Sequence, residues 1–209
     1  MLNIKYNFIS VEVPKTATTS RIKTFRQFDS ESEEHGRVEF AKRIKRHKHL
    51  ALSQYLDRLP TDITHNAFKF AFVRNPYDWL VSNFYCHGKG VHAAFDLHGD
   101  QPLRQQLKLQ TNNMTFKQWL NWYVDNIGWS QHMWLDGPID FIGKYENLQT
   151  DFDSVCDAIN VPRMKLLHEN SATDRKSYQD YYDDEMKALV ETHWAKDLER
   201  FGYSFSGSL

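Results

Sequence analysis

Apolar residues fall into short runs and helical stripes that alternate along the chain. Residues 6–13, rich in Phe, Ile and Val and closed by Pro14, predict a buried strand. Residues 18–28 place Ile22, Phe25 and Phe28 at helical spacing behind threonines suited to an N-cap, so a helix follows the tight turn 14–20. Residues 29–37 are acidic and polar and read as a loop, 40–49 hold a basic run, and 50–59 predict a helix ended by Pro60. The run FKFAFV at 68–73 predicts a second buried strand. Asn75 and Pro76 then open a helix to about residue 85, because Asn suits the cap and Pro the first helical position. Residues 86–113, rich in Gly, His and Gln, form an excursion. A helix over 116–126 follows, with Phe116, Trp119, Leu120 and Tyr123 on one face. A third strand is expected at 140–145. Beyond it come a helix over 146–160 with Leu148, Phe152, Val155 and Ile159 inward, and one long helix over 183–201.

Strands that alternate with helices predict an α/β fold: three layers, α/β/α, around a mainly parallel sheet of about five strands. A length of 209 residues fits a single domain over 1–209. Hydrophobic residues at 41% and aromatics at 14% suit a globular core. The net charge of −1 removes the basic excess of a generic nucleic-acid binder, so no nucleic-acid partner is expected and any basic site must be local. Cys86 and Cys156 fit no zinc or redox spacing and read as reduced thiols. The N-terminal residues lack a basic start with a long apolar run, and no stretch approaches a membrane span. The expectation is a soluble, cytoplasmic protein.

The strand–turn–helix plan occurs twice, and each copy carries chemistry. In the first, the turn Pro14-Lys15-Thr16-Ala17-Thr18-Thr19-Ser20 combines a lysine and four hydroxyls with the N–H groups that open a helix. Such a turn cradles an anion. It is no Walker A loop, which requires glycines and a lysine at the helix start. Taken alone, the heptapeptide also reads as a capped helix with an exposed lysine. In the second copy, FAFVRNPYDWLVSNFY at 70–85 sets Arg74 at a strand end and Ser82 two turns into the next helix. A guanidinium fork with a nearby hydroxyl suits a second phosphate. A ligand with phosphates at both ends would engage both turns.

With these residues in view, the chain resembles the sulfotransferases that use 3′-phosphoadenosine-5′-phosphosulfate (PAPS). PKTATTS resembles their 5′-phosphosulfate loop PKTGTTS, and FVRNPYDWLVSNFY resembles their 3′-phosphate element FVRNPxxRxxSxY. Phe141-Ile142-Gly143-Lys144-Tyr145-Glu146-Asn147-Leu148 is similar to the family's fvGryEnL stretch, and Asp197 to Tyr203 to its D…FGY ending. The nearest branch is the carbohydrate group that includes the uronyl 2-O-sulfotransferases and many small bacterial enzymes. Two positions depart from the pattern: Ala17 stands for glycine, and Trp79 for an arginine.

The resemblance implies a P-loop-NTPase-like sulfotransferase fold, with the donor along the carboxyl ends of the strands and no metal. It implies that Lys15, Thr16, Ala17, Thr18, Thr19 and Ser20 hold the 5′-phosphosulfate, with Lys15 also stabilising the leaving oxygen. Arg74 and Ser82, joined by a late basic loop at Arg175 and Lys176, would hold the 3′-phosphate. The segment Arg46 to Leu52 resembles the HGHVSF region of the uronyl branch, which makes His49 the base, while His47 and Glu12 are further substrate-side residues. Glu12 and Glu146 are alternatives as base. The acceptor implied is a carbohydrate hydroxyl entering near His49, the 86–113 excursion and the helices around Trp119 to Trp134. A phenol or lipid alcohol stands second. A reading of another class is a non-catalytic module that binds nucleotide or polyanion through the 42–49 basic run. His87, His92, Asp96 and His98 match no metal-ligand spacing, and the tryptophans at 119, 122, 129 and 134 read mainly as core.

Overall fold

The computed structural model describes residues 1–27, 49–87, 111–167 and 176–208. In chain order they form β1 (Leu2–Asn3), β2 (Phe8–Val11), α1 (Thr18–Arg26), α2 (Leu52–Arg58), α3 (Thr61–Asn66) and β3 (Phe68–Val73). Next come α4 (Pro76–His87), α5 (Phe116–Asn126), β4 (Phe141–Lys144), α6 (Leu148–Ala158), α7 (Asp184–His193), α8 (Ala195–Phe201), β5 (Tyr203–Ser204) and β6 (Gly207–Ser208). The chain divides into two compact units, neither contiguous in sequence: Met1–Val73 with Met133–Ser171, and Arg74–His132 with Ala172–Leu209.

The first unit holds a sheet of order β1-β2-β3-β4. β2, β3 and β4 run parallel, and β1 pairs antiparallel with β2 at one edge. This is the expected α/β class, with a mixed sheet of four strands among the described residues where about five were expected. Register pairs Val11 with Ala71 and Val73 with Lys144, so β2 and β3 end at the same edge of the sheet. α1 and α6 cover one face, where Phe8, Phe70 and Phe72 meet Phe25, Phe152, Val155 and Cys156 in one buried cluster. Phe25 joins the layers, with ring centroids 5.0 Å from Phe8 and 5.1 Å from Phe152. Each ring of this size contributes roughly 1.5–3 kcal/mol when buried. Gly143 on β4 is required by packing: a Cβ there would sit 2.6 Å from the ring of Phe72.

The second unit is helical and aromatic. Asn75 caps α4 by accepting from the N–H of Tyr77 at 3.1 Å, and Pro76 opens the helix, as the Asn-Pro pair predicts. α5 is capped by Thr115, which accepts from the Gln118 N–H, and Gln118 answers by accepting from the Thr115 N–H at 2.9 Å. Trp79, Trp119, Tyr123 and Trp194 are fully buried, and the Trp119 and Tyr123 rings lie 4.8 Å apart. Trp119 here and Trp134 in the first unit are core as expected, while Trp122 and Trp129 are half-buried.

Several boundaries differ from the sequence expectation for local reasons. The strand expected over 6–13 shortens to Phe8–Val11, because Asn7 adopts a left-handed φ of 50°. α2 stops before Pro60 as expected, and Pro60 then serves as the N-cap of α3, a short helix that was not expected. The long terminal helix breaks at Trp194, whose φ and ψ of −110° and 21° leave the helical region while its indole donates to the Trp129 carbonyl at 2.9 Å. The basic run up to Lys48 and residues 88–110 lie outside the described residues.

Candidate active site

The turn from β2 into α1 is left-handed at two non-glycine positions: φ is 65° at Lys15 and 59° at Ala17. Side chains resist this region, because Cβ crowds the following carbonyl. Buried bonds hold the turn in place. The hydroxyls of Thr16 and Thr18 both donate to the Val13 carbonyl, at 2.8 and 3.0 Å, and a guanidinium N–H of Arg21 donates to the Thr16 carbonyl. No side chain caps α1, and its first turn contains no acidic residue. The N–H groups of that first turn and the positive end of the helix dipole therefore face the loop, which is the arrangement of an anion cradle. One detail differs from expectation. Thr16 and Thr18 use their hydroxyls to brace the turn, so what they can offer an anion is their backbone N–H. Ser20 is buried, while Lys15 and Thr19 are half-buried.

A buried ion pair supports this turn. Glu12 is 1% and Arg21 0% exposed, and their charged atoms lie 3.0 Å apart. Arg21 also stacks over Phe72, its guanidinium carbon 4.4 Å from the ring centroid. Burial pulls the Arg21 pKa below its ordinary value, and the Glu12 carboxylate opposes that shift. Gly143, Phe72, Arg21 and the Thr16 carbonyl thus form one stack from the sheet up to the loop. Glu12, expected on the substrate side, has its carboxylate enclosed within this stack.

The Glu12 backbone carbonyl has a second function. His49 Nδ1 lies 2.6 Å from it, and a carbonyl can only accept, so Nδ1 carries the proton. In the neutral ring that leaves Nε2 as the basic nitrogen. The indole N–H of Trp134 donates to the His49 carbonyl at 3.1 Å and fixes the backbone at this point. Glu146, the other alternative base, is exposed in the short helical turn Tyr145–Asn147.

In the second unit, Arg74 follows β3 directly and is 8% exposed. Its Nε donates to Asp78 Oδ2 at 2.6 Å, one helical turn ahead. Its N–H donates to Gln131 Oε1 at 2.9 Å, and its carbonyl accepts from Gln131 Nε2 at 2.7 Å. Asn75 Nδ2 donates to the Ser204 carbonyl at 2.8 Å. Ser82 is half-buried on α4, and Trp79, which stands for the arginine of the motif, is buried at 1% exposure. Asp197 is fully enclosed: it accepts from the N–H groups of Gln131 and His132 at 2.6 and 2.9 Å, and His132 Nδ1 lies 2.7 Å from it. Burial raises the Asp197 pKa, and those donors oppose the rise.

A model described as the sulfotransferase family matches residues 1–204. The chain belongs to the sulfotransferase family. No curated protein and no solved structure matches it. The sulfotransferase is accordingly a transferase of sulfuryl groups, and its two strand-end segments stand where its sequence motifs do. His47 and Arg175 lie outside its described residues, and Lys176 is exposed. Among the described residues no helix is long and apolar enough to cross a membrane.

Sequence reasoning missed Arg21, Asp78, Gln131 and the part played by Asp197. Two of these had a signal. Glu12 inside an apolar run demands a buried cation, and Asp78 stands one helical turn from Arg74. Gln131 had none, since a single glutamine opening a short helical turn carries no pattern.

Proposed function

We propose that this sulfotransferase takes its sulfuryl group from PAPS and passes it to a hydroxyl of a carbohydrate or glycoconjugate, with His49 as the base. The observation that carries the reading is the bond from His49 Nδ1 to the Glu12 carbonyl, 2.6 Å, because it sets a basic Nε2 at the root of the Lys15 turn. β2 and β3 are parallel neighbours, so the chain leaves the sheet twice at one edge, into the Lys15 turn and into Arg74. Sequence order thus supports assigning the 5′-phosphosulfate to the first segment and the 3′-phosphate to the second.

The acceptor hydroxyl attacks sulfur in line with the bond to the 5′-phosphate oxygen. Its oxygen forms the new S–O bond while its proton passes to His49 Nε2. The old S–O bond breaks, and its electron pair stays on the 5′-phosphate oxygen of 3′-phosphoadenosine-5′-phosphate (PAP). Charge grows on that oxygen, so the Lys15 ammonium and the N–H groups of residues 15–20 stabilise the transition state more than the ground state. The carbohydrate acceptor rests on branch resemblance, with a phenol or lipid alcohol second. Calorimetric titration tests the donor assignment: PAP binds about a hundredfold or more tighter than AMP if Arg74 and Ser82 grip a 3′-phosphate. Equal affinities contradict it.

A further inference from the structure

Arg74 occupies an awkward place in the backbone. Sheet pairing ends at Val73, opposite Lys144, and Asn75 already caps α4. One residue therefore stands between a strand ladder and a helix and belongs to neither. Buried main-chain groups need partners. Gln131 bonds both of them from a distant part of the chain, Oε1 to the N–H at 2.9 Å and Nε2 to the carbonyl at 2.7 Å. A carboxamide flipped by half a turn would set donor against donor and acceptor against acceptor, so only one orientation serves. Gln131 is 0% exposed, and its own N–H is held by the enclosed carboxylate of Asp197 at 2.6 Å. The Arg74 side chain is tied separately, by Asp78.

We propose that Gln131 is a positioning residue that makes the sulfotransferase selective for a 3′-phosphate, by fixing the backbone from which the Arg74 guanidinium projects, with Asp197 holding Gln131 in turn. This rests on the reading that Arg74 grips the 3′-phosphate. A guanidinium reads a phosphate by direction as well as charge, so a small rotation of its backbone misaligns the fork. The C-terminal D…FGY segment thereby gains a function in donor selectivity: Asp197 braces Gln131, and the Ser204 carbonyl, just beyond Tyr203, holds Asn75.

Titration of PAP and of AMP into wild type, Gln131→Leu, Arg74→Ala and the double variant tests the proposal. Gln131→Leu keeps the volume and removes both hydrogen bonds. The expected result is a loss of about tenfold or more in PAP affinity, with AMP affinity held within about twofold, and no further loss in the Arg74→Ala background. Equal weakening of both ligands, unchanged PAP affinity, or losses that add in the double variant would overturn it. Should Gln131→Leu fail to fold, Gln131→Glu keeps the acceptor for the Arg74 N–H and loses only the donor, and it must still lower the PAP-to-AMP ratio. A wild type that binds PAP no better than AMP overturns the 3′-phosphate reading itself, whereas a selective wild type with a selective Gln131→Leu overturns only the part given to Gln131.

Discussion

His49 Nδ1 lies 2.6 Å from the backbone carbonyl of Glu12, so the fold itself selects which imidazole nitrogen can accept a proton. The bond costs the site no side chain and holds whatever residue stands at position 12, since it uses the main chain. It also ties His49 to the strand that enters the Lys15 turn.

The first expected outcome concerns that nitrogen. His49→Ala lowers turnover about a hundredfold or more, within the range of general-base catalysis, while PAP affinity changes by no more than about twofold. Steady-state kinetics paired with PAP titration provide the check. Near-normal turnover in the variant dismisses His49 as the base.

Glu12 separates structure from chemistry. Glu12→Gln leaves the Arg21 cation buried without its partner, a change that costs about 3–5 kcal/mol of stability. Urea unfolding of the variant should show that loss together with loosened PAP binding, because Arg21 also holds the Thr16 carbonyl. A Glu12→Gln protein of wild-type stability but without turnover would instead make Glu12 the base.

Ala17 carries strain that glycine would release. A left-handed alanine costs roughly 1–2 kcal/mol, of which glycine's greater freedom in the unfolded chain offsets about 0.5–1 kcal/mol. Ala17→Gly should therefore stabilise the protein by about 0.5–1 kcal/mol in denaturant unfolding. A clear destabilisation is incompatible with a φ of 59° at this residue.

Gly143 tests the stack beneath the Lys15 turn. A methyl group at 143 meets the Phe72 ring at 2.6 Å, so Gly143→Ala should cost about 1–3 kcal/mol by overpacking. Phe72 in turn carries Arg21, so the same variant should weaken PAP binding. Unchanged stability would show that the ring is free to move aside.

Cys156 gives a pH-dependent readout of the core. Burial pushes its thiol from an ordinary value near 9.0 up to about 11. The fold prefers the neutral thiol, so this group's contribution to stability is complete below pH 9 and is lost as pH rises through 11. At pH 8 the thiolate is scarce and enclosed, and mass-spectrometric mapping after iodoacetamide treatment should find Cys156 unmodified until denaturant is added. Rapid native labelling of Cys156 would contradict the burial of α6 against the sheet.

Much of this was legible in the sequence because the signals were local. FKFAFV is short, aromatic-rich and bounded by Asn-Pro, which favours a buried strand, and Asn75-Pro76 marks a helix start by the chemistry of two adjacent residues. The Lys15 and Arg74 segments stand out for the same reason, since each joins a strand end to a helix start within a few positions. What escaped were relationships between distant residues. The pairing of Arg21 with Glu12 changes Glu12 from a substrate-side carboxylate into a brace, and no spacing rule links a carboxamide at 131 to a backbone at 74. The hydroxyls of Thr16 and Thr18 mislead in another way. A turn rich in threonine reads as a set of donors for a ligand, whereas in the fold both hydroxyls donate to the Val13 carbonyl.

The most direct test of the whole account is transfer of label from sulfur-35 PAPS to a panel of glycans, phenols and lipid alcohols. Label is expected on a glycan hydroxyl, with release of one PAP per sulfate ester formed and loss of both in His49→Ala. A folded enzyme that binds PAP yet labels no acceptor, or a His49→Ala variant that labels as fast as wild type, would contradict it.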